Sequence, residues 1–202
     1  MPEYFYGDRL FTSLDRAEPD SGMLLVAAPG MLAPSFTRSV VLIIEHGEQG
    51  TLGVILNRRS DAAVVNVLPE WESLASEPPV IYYGGPVSPN AAVGLGVTHN
   101  DVDIAEHPTL TRLANKLVHV NMHEPASSFS DLLEGFRLFA GFSSWDAGQL
   151  DEEIERGDWY VAPALPSDVI TPASVDLWSD VLRRQPMPLP LFATFPSNVE
   201  DN

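Results

Sequence analysis

The sequence predicts an α+β fold, and three observations carry that prediction. Residues 40–57 read as a β-hairpin whose two arms, Val40–Glu45 and Leu52–Asn57, are apolar on both faces. Upstream, Met23–Ala28 is a short continuous apolar run, the pattern of a strand buried on both sides. Downstream, strand-like and helix-like segments follow one another irregularly, which argues against a doubly wound sheet. At 202 residues the chain is expected to form one domain over 1–202, with 1–20 as a lead-in and 186–202 as an extended proline-rich tail.

Taken in order, the lead-in offers Phe5, Leu10, Phe11 and Leu14 as side chains that can dock. Pro29-Gly30 is a turn signal, and Ser35–Arg38 reads as one helical turn capped by Ser35. In the hairpin, strict alternation puts Val40, Leu42 and Ile44 on one face and Val41, Ile43 and Glu45 on the other. On the second arm Leu52, Val54 and Leu56 oppose Gly53, Ile55 and Asn57, and Gly47–Gly50 is the connecting loop. Apolar residues on both faces require that this sheet be covered twice. A helix over Ala62–Leu68, ended by Pro69, comes next.

After Pro78-Pro79, Val80–Tyr83 reads as a strand, Gly84-Gly85-Pro86-Val87 as a tight turn, and Ala91–Val97 as a second short strand. Residues 98–115 suggest a turn and a short helix through Leu110–Leu113. Lys116–Met122 alternates, with Val118, Val120 and Met122 on one face and Leu117, His119 and Asn121 on the other. Ser127 or Ser128 caps an expected short helix through Asp131–Leu133, stopped by Gly135, and Phe136–Phe142 is another strand. Asp146 followed by Gln149 resembles a capping box opening a helix through Arg156, with Leu150 and Ile154 on one face. Trp159–Ala162 is the last strand, and Thr171-Pro172 begins a helix with the stripe Val175, Trp178 and Leu182.

Composition narrows the function classes. With 28 acids against 11 bases the formal charge is −17, which repels phosphate backbones, so direct nucleic-acid binding is disfavoured. The adjacent basic pairs Arg58-Arg59 and Arg183-Arg184 make a small footprint. The absence of cysteine excludes thiol nucleophiles, disulfides and thiolate metal sites. No secretory leader and no apolar run long enough to span a membrane is read, so a cytoplasmic protein is expected.

No complete catalytic or cofactor motif occurs. Glu45 and His46 are strand neighbours and leave on opposite faces, so they cannot readily act on one atom; the structural reading sets both at the solvent end of the arm. His119, Asn121 and His123 share a face if the strand continues, but i and i+4 are then about 13 Å apart, too far for one metal ion. An exposed polar face is the preferred reading there. Gly84-Gly85 and Gly94-x-Gly96 lack the spacing of a phosphate loop and read as close backbone approaches. Gly141–Leu150 is the richest stretch: Trp145, Gly148 and Gln149 gather where a helix begins, though Asp146 offsets its positive end. The acids Asp151, Glu152, Glu153 and Glu155 read as a solvated helix face.

Jointly, several of these pieces resemble the AlgH/YqgE family, an uncharacterised group of bacterial proteins. The pieces are Pro34-x-Phe36-x-x-Ser39-Val40; Glu45-His46 with Gly50, Gly53 and Asn57; Gly84-Gly85-Pro86-Val87; Phe139-x-Gly141-x-x-x-Trp145-x-x-Gly148-Gln149-Leu150-x-x-Glu153; and Asp158-Trp159 with Pro163-Ala164. The match runs in order over about residues 22–185. Family members usually carry Tyr where this chain has Phe142 and Gly where it has Ser144. The resemblance implies a branched, mainly antiparallel sheet curled into a pseudo-barrel with flanking helices. It also implies the label of a transcriptional regulator, with no catalytic residues to carry over.

The expected function is therefore non-enzymatic regulation through a protein or small ligand, with no metal or cofactor. Its expected site draws on Glu45, His46, Asn57, Gly84, Gly85, Pro86, Trp145, Gly148 and Gln149. The alternative is a hydrolase-like enzyme using His46 with Glu45 or Asp146 near the Gly84–Val87 turn.

Overall fold

The hairpin seeds the architecture. In the computed structural model, which describes residues 10–11 and 14–196, strand β1 (Met23–Ala27) pairs antiparallel with β2 (Val40–Gly47), and β2 with β3 (Gly50–Ile55). Gly47 opposes Gly50, so the hairpin connection is a two-residue turn at Glu48-Gln49, tighter than the four residues the glycines suggested. Phe5 lies outside the described residues, but Phe11 docks fully, its ring 5.2 Å from Phe192.

The remaining strands are β4 (Arg59–Ala63), β5 (Val80–Tyr83), β6 (Val87–Thr98), β7 (Leu110–Ala114), β8 (Leu117–Val120), β9 (Leu133–Trp145) and β10 (Trp159–Pro163). They form a ten-stranded sheet in the order β10-β1-β2-β3-β9-β6-β8-β7, with β5 branching off β9 and β4 pairing β5. All pairings are antiparallel except β5 with β9. Beyond Leu10-Phe11 the helices among the described residues are short: α1 (Val64–Val67), α2 (Gln149–Arg156), α3 (Pro166–Val169), α4 (Leu177–Arg183) and α5 (Leu189–Phe192). This is the α+β class expected, with the sheet curled into a half-barrel.

The branch sits on β9. One edge of β9 carries β6; the other carries β3 at Ser143–Trp145 and β5 at Phe139–Ala140. Gly84 occupies the fork: its N–H donates to Ala140 and its carbonyl accepts from Ile55, both at 2.8 Å. A Cβ there would stand 2.3 Å from the Gly141 carbonyl oxygen, and one on Gly85 would stand 2.2 Å from Phe142. The expected tight turn is thus a backbone-on-backbone contact where the sheet divides.

Curling splits the core into layers. Leu24, Val40, Leu42, Val54, Leu95 and Phe139 fill the concave side, covered by Trp178 and Leu182 of α4 and Phe192 of α5. Val41, Ile43 and Ile55 pack on the opposite side beneath α2. Trp71, Phe129 and Phe136 anchor a third cluster behind β8 and β9. Trp178 donates its indole N–H to the Ala27 carbonyl at 2.8 Å, fixing α4 on β1. Arg184 holds the buried Asp168 through two bonds of 2.7 and 2.6 Å, tying α4 to α3. The buried Arg137 bonds the carbonyls of Thr171 and Glu77 and lies 4.3 Å over the Tyr82 ring.

Several local expectations are corrected. Ser35 is not a cap; Pro34–Phe36 is a 3-10 turn entered from Ala33, because proline suits its first position. Ala62-Ala63 belong to β4, which supplies the ladder β5 needs, and the helix shrinks to α1. Leu110–Leu113 is strand: β8 requires a partner, and Leu110 and Leu113 fill opposite faces, a spacing that imitated a helix. β6 runs to twelve residues, and β8 stops at Val120 short of Met122. The expected helix over Asp131–Leu133 is instead a 3-10 turn at Ala126–Phe129, and Gly135 lies inside β9. Thr171 spends its hydroxyl on the carbonyls of Ser167 and Asp168, so the last long helix starts at Leu177, where Asp176 accepts from the Ser179 N–H. The tail is not extended over 189–192: proline is tolerated in the first turn, and α5 buries Leu189 and Phe192.

Closure of the curl rests on Gly22, whose φ of 82° and position leave a Cβ only 2.2 Å from the Leu113 carbonyl oxygen of the far edge strand. Gly22→Ala is expected to destabilise the fold by about 2–3 kcal/mol, since both the dihedral and the contact resist a methyl. Chemical denaturation measures it; a change under about 0.5 kcal/mol would show that β7 is not held against β1.

Candidate functional site

The residues singled out from the sequence fall at three places. The first is an aromatic box. Trp145 ends β9, Trp159 begins β10, and Phe36 lies against both, at ring-centre distances of 5.9 and 5.3 Å. The two indoles meet edge-on at 5.9 Å and are nearly fully buried, at 4% and 1% exposure. Both donate to one oxygen of Glu153, Trp145 at 2.9 Å and Trp159 at 2.8 Å, while the Gln149 amide donates to the other at 3.0 Å. Glu153 was read as part of a solvated acidic face; it is instead the acceptor that holds the box. Its signal was its spacing, three residues after Leu150 and one before Ile154, on the helix's buried stripe.

The capping box is half formed. Gln149 accepts from the Asp146 N–H at 3.0 Å, but the N-cap of α2 is Gly148 with φ 77°, and the Asp146 side chain makes no cap bond. Trp145 and Gln149 therefore spend their polar groups inside the fold, and Gly148 serves the turn into α2.

At the far end of β3, Asn57 accepts from the Val40 N–H at 3.0 Å and donates to the Arg38 carbonyl at 2.9 Å, continuing the ladder with its side chain. Gly84 and Gly85 are buried in the fork, with Pro86 exposed beside them. Asn57 lies about 17–20 Å along the hairpin from Glu45 and His46, so these candidates do not converge on one point.

The third place is the hairpin tip, where a bulge changes the reading. Ile43 opposes Gly53, but Glu45 opposes Leu52, so one extra residue interrupts the alternation at Ile44. Glu45 thereby joins the concave face with Leu42 and Val54, not the Val41 and Ile43 face expected. His46 opposes Thr51, which opposes Trp145, so these three form a row on the convex face. His46 Nδ1 and Thr51 Oγ1 share a 2.7 Å hydrogen bond, and Trp145 lies about 10 Å from His46 across that row. Glu45 and His46 do leave on opposite faces.

On the concave side the sheet opens into a cleft of about 300 Å³ between β7, β8 and the middle of β6. Its wall includes Thr109, Thr111, His119, Asn121, Met122 and His123. His119 opposes Thr111 on one neighbour and Leu95 on the other, so its ring stands at the rim of the concave core. The strand ends at Val120, and Asn121 Oδ1 accepts from the His123 N–H at 3.0 Å in a turn that brings His123 back to the same cleft. The expected flat polar strand face is thus a concavity. Burial pushes the His119 imidazolium below its usual range, and the nearby Glu45 carboxylate offsets this in part. Among the described residues none hydrogen-bonds the side chains of Thr109, Thr111 or His119, and no group of three or more His, Asp or Glu is placed to hold a metal ion.

A model of the AlgH-like family matches residues 24–190. A UPF0301 protein of Corynebacterium efficiens is 57% identical over 198 residues, covering 98% of each chain. One from Mycobacteroides abscessus is 48% identical, covering 90% of this chain and 88% of its own. A crystal structure of a Corynebacterium diphtheriae protein superposes with a TM-score of 0.91 at 55% identity, covering 95% of this chain and all of that one. The solution structure of the AlgH protein from Pseudomonas aeruginosa matches with a TM-score of 0.63 at 24% identity, over 90% of this chain and 97% of that one, a likeness of fold.

Two measurements check this geometry. Glu153→Ala leaves two buried indole donors unpaired and is expected to cost about 2–4 kcal/mol, with red-shifted tryptophan emission; unchanged stability would mean the box does not depend on the carboxylate. The His119 imidazole, followed by NMR, is expected to titrate below the ordinary value of 6.5, and Glu45→Gln to lower it further. Because the folded value is depressed, the stability it contributes is complete above about 6.5 and is lost as pH falls from there through the folded value. A midpoint at or above 6.5 would contradict the burial of the ring.

Proposed function

We propose that this chain, which belongs to the AlgH-like family, is a non-enzymatic cytoplasmic regulatory protein that acts by binding a small polar ligand or a protein. The observation that carries the reading is the contrast between two sets of polar groups. Asn57, Trp145, Gln149 and Gly84 are engaged in holding the fold, whereas the wall of the cleft at His119 includes hydroxyl and imidazole groups with no hydrogen-bond partner among the described residues. A concavity with a few convergent polar groups is where a ligand is expected first.

Against the hydrolase alternative, Glu45 and His46 stand on opposite faces and the Gly84-Gly85 backbone is packed into the fork; Asp146, its other acid, follows Trp145 at the end of the His46 row. Direct nucleic-acid binding is disfavoured by the charge of −17, and of the basic pairs Arg58 bonds the Thr37 carbonyl while Arg184 is held by Asp168. Among the described residues no helix is long and apolar enough to cross a membrane.

Native mass spectrometry of the protein purified from its own host tests the reading. The expected result is a mass above the 22.0 kDa chain by a ligand or a partner that denaturation releases. A consistently bare chain, or an adduct that survives denaturation as a covalent intermediate would, overturns it.

A further inference from the structure

The wall of the cleft at His119 carries a square of uncharged polar side chains. His119 of β8 opposes Thr111 of β7, so their Cβ atoms stand about 5 Å apart on the concave face. Two residues away on each chain, about 7 Å along the strands, are Asn121 and Thr109, joined by a 3.0 Å bond from the Asn121 N–H to the Thr109 carbonyl. All four line the cleft, with His123 beside them. None of the lining residues is Asp, Glu, Lys or Arg, in a chain with 28 acids and 11 bases, and none but the imidazoles is aromatic. A threonine hydroxyl both donates and accepts, and a neutral imidazole has one nitrogen of each kind. Burial keeps the His119 ring neutral near pH 7, against a smaller opposing effect of Glu45. Asn121 spends its Oδ1 on the His123 N–H and keeps its amide N–H groups to donate. A ligand hydroxyl can pair with every one of these groups. A carboxylate only accepts and an ammonium only donates, and either would shed water where no charged side chain lines the wall. A flat aromatic ligand finds no ring of Phe, Tyr or Trp to stack on. At about 300 Å³ the space is at the small end of ligand pockets.

We propose that this cleft binds a small uncharged polyol, its neighbouring hydroxyls bonded to the side chains of Thr109, Thr111, His119 and Asn121. The proposal rests on the binding function above and names the ligand class. With corners about 5 and 7 Å apart, the square needs several hydroxyls on one ligand, since a single hydroxyl reaches only one or two of its members. The register of β7 on β8 makes the site, because it sets Thr111 across from His119.

The test compares four probes with the same carbon count, erythritol, n-butanol, n-butylamine and butyrate, each titrated into the full chain near neutral pH at fixed ionic strength. Signals of Thr111, His119 and Asn121 are followed by NMR, with His46 on the convex face reporting bulk solvent effects. Erythritol is expected to shift the three cleft signals saturably and to leave His46 in place, and the other probes to give no saturable shift. Thr111→Val, an exposed change that keeps the side chain's shape and removes one hydroxyl, is expected to weaken erythritol about three- to tenfold. Glu45→Gln is expected to leave the affinity unchanged, because an uncharged ligand needs no counter-charge. No saturable shift up to about 50 mM erythritol, equal or tighter binding of any other probe, or equal movement of His46 overturns the proposal. So does full affinity in Thr111→Val, or a loss in Glu45→Gln as large as that in Thr111→Val. A charged or apolar ligand found on the natively purified protein and shifting the same signals overturns the polyol while the binding function stands. A bare native protein overturns the binding function itself.

Discussion

The fold depends on a fork in which three glycine backbones pass without room for a side chain. Gly84 bridges β3 and β9, Gly85 lies on Phe142, and Gly141 turns with a φ of 71° so that its own Cβ position falls 2.6 Å from the Gly85 carbonyl oxygen. A sheet edge normally accepts one strand; here one edge of β9 accepts β3 and then β5. That is possible only because the chain leaving β5 can run within backbone contact of β9 while satisfying both neighbours' hydrogen bonds. The branch divides the apolar side chains among three packed clusters, and the curl of the longer arm brings β7 back beside Gly22.

Polar side chains divide along the same lines. Those near the fork and under α2 are consumed in construction: Asn57 continues a ladder, Glu153 joins two indoles, and Arg137 spans two loop carbonyls from within the core. Arg137 is a buried cation that relies on carbonyl oxygens and the Tyr82 face, with no carboxylate in its bonds, and its burial lowers its proton affinity against the effect of Tyr82. At the rim of the concave face the demand is lower, because the last strands are short and the chain turns at Asn121. The polar groups there that have no hydrogen-bond partner among the described residues are those least needed by the fold.

Errors in the element reading fall on the outer strands, where few residues are buried. Leu110 and Leu113 are separated by exposed Thr111 and Arg112 and fill opposite faces of β7, a spacing that looks helical. Arg59–Ala63 is short, polar and largely exposed, and only its pairing with β5 makes it a strand. Alternation itself failed at Ile44, where a bulge carried Glu45 from one face to the other. Glu153 was legible in principle, since its helical position was known; what could not be seen was that two indoles from distant strands would reach it.

By itself the sequence determined the α+β class, the hairpin and its two apolar faces, the resemblance to the AlgH family and the poor fit to nucleic acid, because these follow from local pattern, composition and the order of motifs. Only the tertiary structure decided that Gly84-Gly85 is a fork, that Glu153 is a latch, and that Glu45 and His119 share a concave face on which His123 returns to one cleft with His119. Each of those rests on a contact between strands far apart in the chain, and on a one-residue slip in register that no periodicity records.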